Sequence, residues 1–159
     1  MKKLILTLAI AIMGIFSANA QVWMGGSAHA NLNKNNTQIT LSPEVGYSFT
    51  GTPWTIACAV NFGYNNNNAT LDLSPYLRYS LGTLEKFAFF MDLTGDLGAV
   101  NNSGYRIALQ PGVAWMATEH WTAAFRFAFL GWSHNYNDVD GFTMDFAAAA
   151  PGFGLYYNF

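Results

Sequence analysis

The sequence predicts an all-β protein, an eight-stranded antiparallel up-and-down barrel with an apolar outside and a polar inside. Three observations predict it. From Gln21 onward, eight stretches alternate with a period of two, separated by clusters rich in Asn, Gly and Pro. In the second to seventh stretches one parity carries no charged or amide side chain, and the other carries all the charges. Only 10% of residues are charged while 16% are aromatic, against roughly 25% charged in an ordinary soluble domain. Grease outside with ions inside inverts the soluble sheet and is the pattern of a transmembrane β-barrel. One domain accommodates all of it.

The N-terminal segment stands apart. Lys2 and Lys3 precede a short apolar run, Leu4 to Phe16, and Ala18-Asn19-Ala20 ends it ahead of Gln21. A basic start, a short greasy centre and small residues before the cut make residues 1–20 a secretory signal peptide. The run is shorter than the ~20 residues a membrane helix needs. The barrel domain is therefore expected over 21–159. With 1–20 removed, Lys34, Arg78, Lys86, Arg106 and Arg126 face nine acids. No basic patch remains to bind nucleic acid. A single cysteine, Cys58, forbids an internal disulfide and reads as a small outward hydrophobe.

In order, the first strand is expected at 22–30, followed by the Asn-rich stretch 31–36. The second spans 37–49 and closes in Thr50-Gly51-Thr52-Pro53. The third spans 54–64 before Asn65 to Asn68, and the fourth 71–81 before a turn at 82–86. The fifth spans 87–99 before Asn101-Asn102-Ser103-Gly104, and the sixth 105–117 before Thr118-Glu119-His120. The seventh, 121–132, is the clearest. Trp121, Ala123, Phe125, Phe127, Phe129 and Gly131 form one face, and Arg126 stands on the other. Residues 133–141 form the longest loop, and the eighth strand runs over 142–159. Asn-rich connections thus follow the odd strands and differently composed tight turns the even ones, the end-to-end asymmetry of an outer-membrane barrel. The polyalanine run Ala147 to Ala150 leaves the register of strand eight above Pro151 open.

Pro43, Pro75, Pro111 and Pro151 recur at one height in every second strand. Proline cannot donate to a ladder, so a ring of β-bulges is expected there, adding the curvature of a small barrel.

The polar face carries Gln38, Glu44, Asn61, Asp72, Arg78, Asp92, Asp96, Arg106, Gln110 and Arg126. Heights counted from the turns place Asp72, Asp96 and Arg106 in an upper layer and Glu44, Arg78, Asp92 and Arg126 in a lower one. Asp96 falls opposite Arg106, and Asp92 opposite Gln110. Gly112 falls beside Arg126 and is expected to leave it room. Unpaired buried charges are costly, so an ion-paired plug is predicted. Eight strands enclose only enough space for side chains. On the greasy face Phe49, Trp54, Tyr64, Tyr79, Phe87, Tyr105, Trp115 and Trp121 cluster near strand ends, where interfacial girdles belong.

The pattern Ala18-Asn19-Ala20 then Gln21, the segment Ser42-Pro43-Glu44-Val45-Gly46-Tyr47 and the ending Gly154-Leu155-Tyr156-Tyr157-Asn158-Phe159 carry a resemblance. The chain resembles the small OmpA/OmpX-type barrels, and more closely the Bacteroidetes-type outer membrane protein β-barrel domain. That resemblance implies a Gram-negative outer membrane, lipid as surroundings, and the barrel-assembly machinery as a partner during biogenesis. It also implies that Phe153, Leu155, Tyr157 and Phe159 form the assembly signal.

Chemistry is sparse. His120 lies in a turn, and His29 has the polar parity near the rim. His134 neighbours Ser133, Asp138 and Asp140, but Asp138-Val139-Asp140-Gly141 lacks the ligand series of a calcium loop. No nucleotide, redox or zinc motif occurs, so no metal, cofactor or catalytic residue is expected. The reading is a non-catalytic envelope or surface-contact protein. The alternatives are a lipid A-modifying enzyme, whose His-x-Ser pair is missing here, a small-solute channel, and a lipocalin-like carrier, which needs the opposite polarity.

Overall fold

The computed structural model describes residues 21–33, 36–65, 68–101, 104–127, 129–136, 139–145 and 152–159, with 29–33, 36–38, 65, 129, 145 and 152 described in backbone only. The expected signal peptide, Lys34, the polyalanine run and Pro151 lie outside them, as do the side chains of His29, Gln38 and Phe129.

The strands are β1 (Gln21–Asn33), β2 (Asn36–Ser48), β3 (Trp54–Asn65), β4 (Asn68–Leu84), β5 (Phe87–Val100), β6 (Tyr105–Met116), β7 (Trp121–Arg126), β8 (Phe129–Tyr136), β9 (Val139–Asp145) and β10 (Gly152–Asn158). Each neighbour pair is antiparallel, β1 pairs with both β2 and β10, and β5–β6 completes the circuit. β6 pairs with β7 along one half and β8 along the other, so these two are halves of a seventh stave. β9 and β10 are likewise halves of the eighth, beside β8 and β7. The fold is a closed eight-stranded antiparallel barrel.

Alternation places the core within the tube. Trp23, Ala57, Tyr76, Phe90, Ala114, Ala124 and Tyr156 form a buried cluster, while neighbours of the opposite parity such as Ile56, Leu77, Phe89 and Leu155 are exposed. Phe125 and Phe127 point outward and Arg126 inward. Ala123 is outward by parity yet buried. Its ladder partners are Trp115 and Leu155, long enough to cover a methyl.

Three expectations need correction. Gly131 faces inward, not outward: Gly131 and Ser133 are buried, and Leu130 and Trp132 are exposed. Gly112 pairs with Arg126 and Leu109 with Leu130. Three residues of the seventh stave, 127–129, therefore oppose two of β6, 110 and 111. The extra residue is a bulge that reverses the parity above it.

Among the described residues, Pro43, Pro75 and Pro111 do not form a ring of bulges. β2 and β4 keep register past Pro43 and Pro75. Each of these three pairs with the preceding strand, and the ladder toward the following strand skips it. Only beside Pro111 is a residue added. At Pro43 and Pro75 the missing donor interrupts the ladder without shifting it.

The third correction concerns the ends. Residues 133–141 are mostly strand, since β8 continues to Tyr136 and β9 begins at Val139. Asn33 pairs with Asn36 and Asn65 with Asn68, so the Asn-rich tips are short hairpins. The Thr50–Pro53 turn, with Gly51 at φ 74°, is longer.

Candidate functional site

Four charges form one connected chain in the lower lumen. Arg78 and Asp92 face each other across the β4–β5 ladder. Arg78 Nε and Nη2 donate to the two carboxylate oxygens of Asp92 at 2.7 and 2.8 Å. Arg126 Nε reaches the same carboxylate at 2.9 Å, and its Nη1 and Nη2 reach Glu44 at 3.3 and 3.2 Å. Charges therefore alternate as Arg78, Asp92, Arg126, Glu44. The Tyr76 hydroxyl donates to Glu44 at 2.8 Å and that of Tyr156 at 3.2 Å. Asp92 has 0% exposure. Among the described residues no buried side-chain nitrogen or oxygen lacks a partner, so the desolvation cost of burying ions is offset by hydrogen bonds.

A second layer lies toward the Asn-rich end. Arg106 and Asp96, opposite one another across β5–β6, bond at 2.6 and 2.7 Å. The Ser74 hydroxyl donates to Asp96, and the Asn61 amide to Ser74 at 2.6 Å. Tyr136 donates to Asp72 at 3.1 Å, under the Arg106 guanidinium 5.1 Å from its ring. Asp92 stands opposite Gln110 in the ladder. Between the layers is a chamber of about 150 Å³ bordered by Glu44, Arg126, Asp96 and Arg106.

The plug also contains aromatics that the polar face did not announce. Trp23, Tyr76, Phe90, Tyr136 and Tyr156 share the inward parity with the charges. Arg78 lies 3.8 Å from the Phe90 ring centre and Arg126 lies 5.0 Å from that of Tyr76, close enough for cation–π attraction. Three rings sit on glycines directly opposite them: Trp23 on Gly46, Phe90 on Gly112, Tyr156 on Gly25. A Cβ at any of these glycines would overlap the ring. Gly112 thus makes room for Phe90, not for Arg126. The usable signal was an aromatic at inward parity opposite a glycine, and it needs the register.

Outside, Phe49, Trp54, Tyr64, Tyr79, Phe87, Tyr105, Trp115 and Trp121 are all exposed. Trp54 packs edge-on against Tyr79 at 4.7 Å, and Trp121 against Tyr157 at 5.2 Å. Phe153, Leu155, Tyr157 and Phe159 share the outward face of the last strand. Phe153 meets Phe125 at 5.1 Å, and Phe159 meets Tyr157 at 5.1 Å.

Among the described residues, the neighbourhoods of His120 and His134 are not brought into a reacting geometry. Ser133 is buried in the lumen, whereas His134 points outward to Asp140 at 3.3 Å. The two sit on opposite faces of β8. Asp138 lies outside the described residues. His120 stacks on Tyr157 and its Nδ1 lies 3.0 Å from the Asn158 carbonyl. Among the described residues no group of three His, Cys, Asp or Glu could hold a metal.

No protein-family model matches the chain, and no curated protein sequence matches it. Among solved structures it is similar to a chain described as "De novo design of transmembrane beta-barrels", at a TM-score of 0.49 and 11% identity, covering 90% of this chain and 98% of that one.

Proposed function

We propose that the protein is a non-catalytic integral outer-membrane β-barrel, resembling the OmpA/OmpX-type and Bacteroidetes-type barrels, with a lumen closed by side chains. One observation carries the reading: the outward face of the described strands is apolar around the tube and bordered by aromatics, while Glu44, Asp72, Arg78, Asp92, Asp96, Arg106 and Arg126 are enclosed or point inward. Such a face is stable against hydrocarbon and unstable against water. Two layers of paired ions cross the described lumen, which favours an envelope or surface-contact role over conduction. The Asn-rich hairpins are the surface turned to the exterior. The segment 1–20 directs export, and the outward stripe Phe153, Leu155, Tyr157 and Phe159 is what the assembly machinery reads.

The test is membrane fractionation with alkaline carbonate, followed by gel migration with and without boiling. Retention in the outer-membrane pellet and a mobility change on boiling are expected. Release by carbonate would overturn the reading in favour of a soluble carrier.

A further inference from the structure

The two ends of the ion-pair chain are chemically unlike. Glu44 ends it on the internal chamber. Arg78 ends it on a vestibule of about 410 Å³ that opens among the turns at the other end of the lumen. We propose that this vestibule binds a small carboxylate carrying a flat apolar body, with Arg78 as the anion contact.

Arg78 offers an unused edge. Its Nε and Nη2 hold Asp92, and its Nη1 donates to none of the described residues. Asp92 cannot neutralise it alone, because its Oδ2 also accepts from Arg126. One carboxylate divided between two guanidiniums leaves a residual positive potential at the vestibule end, and the compensating negative charge, Glu44, lies at the far end. The Phe90 ring covers one side of the guanidinium and limits its hydration. A guanidinium edge whose face is covered by a ring suits a planar carboxylate.

The walls supply the second half of the recognition. Trp23, Phe90, Tyr156, Ala88, Ala114 and Met116 give the vestibule one apolar wall beside Arg78, and polar side chains, among them Ser80, Thr122 and Asn158, line the rest. Its volume falls within the roughly 300–1,000 Å³ of ordinary ligand sites. Ser48 and Thr55 share one hydrogen bond at 3.0 Å, which leaves the accepting hydroxyl a proton to donate toward the vestibule. Glu119 stands at the mouth but is exposed, and water and salt screen it.

The test uses the full barrel refolded in zwitterionic micelles and titrated with benzoate by NMR, with protein-free micelles as blank. Saturable benzoate binding that shifts the Trp23 indole signal is expected, with neutral benzamide weaker by about tenfold or more. Arg78→Lys keeps the charge beside Asp92 but removes the free edge. Ala88→Phe fills the vestibule and leaves the ion pairs alone. Each is expected to weaken benzoate about tenfold or more while unboiled gel migration still reports a folded barrel. Equal binding of benzamide and benzoate, non-saturable uptake, or unchanged binding in folded Ala88→Phe would overturn the proposal. If Arg78→Lys does not fold, Ala88→Phe and the benzamide comparison decide it. The carbonate test above is independent of this outcome.

Discussion

Trp23 stands directly opposite Gly46 in the β1–β2 ladder, and its indole occupies the volume a Cβ on Gly46 would need. The inner packing of this end depends on that vacancy. Gly46→Val is expected to lower stability by about 1–3 kcal/mol through overpacking. Gly82, with nothing within 4 Å of its would-be Cβ, is the control, and Gly82→Ala is expected within about 0.5 kcal/mol of the parent. Urea unfolding followed by tryptophan fluorescence distinguishes the two.

Asp92 holds two arginines. Asp92→Asn is expected to destabilise by about 3–5 kcal/mol, because both guanidiniums stay buried while their shared anion is gone. Asp140→Asn breaks only the exposed contact with His134, and such surface pairs contribute little. Equal effects from the two substitutions would contradict the buried plug.

Leu93 lies on the outward face between Leu77 and Leu109. In a bilayer, Leu93→Arg is expected to cost about 2–4 kcal/mol near mid-depth. The loss should be read in lipid vesicles and should shrink in detergent, where the head group finds water more easily. No loss in vesicles would argue against lipid on this face.

Cys58 is the sole thiol, outward and paired in the ladder with Pro75. In intact membranes it is expected to react with a lipid-soluble maleimide and to resist a charged one, and to react with both after urea unfolding. Fast reaction with the charged reagent in folded membranes would place it in water.

The charged part of the plug was legible because an ion in a greasy strand has one tolerable direction, and counting from the turns then set its height. Asp96 opposite Arg106, and Arg78 in one lower layer with Asp92, follow from that, whereas the direct Arg78–Asp92 pairing needed the β4–β5 register. The aromatic part was not, since Phe90 shares the inward parity of Asp92 but its seat on Gly112 appears only once the β5–β6 register is known. The reversal in the seventh stave was hidden for a similar reason: Phe127, Ala128, Phe129 and Leu130 are apolar at either parity, so alternation carries no information there. Asn-rich tips read as loops by composition, yet Asn33, Asn36, Asn65 and Asn68 complete hairpins, because ladder bonds extend wherever the strands remain adjacent.

The ladder gaps at Pro43, Pro75 and Pro111 all face the strand that follows. When β1–β2, β3–β4 or β5–β6 has formed and its successor has not arrived, the naked border of the hairpin is the one that carries the proline. A stray chain trying to zip onto that border meets a missing donor halfway along. A sheet that ends in β2, β4 or β6 thus exposes a poor template for false partners, and the gap is covered once the rightful neighbour closes over it.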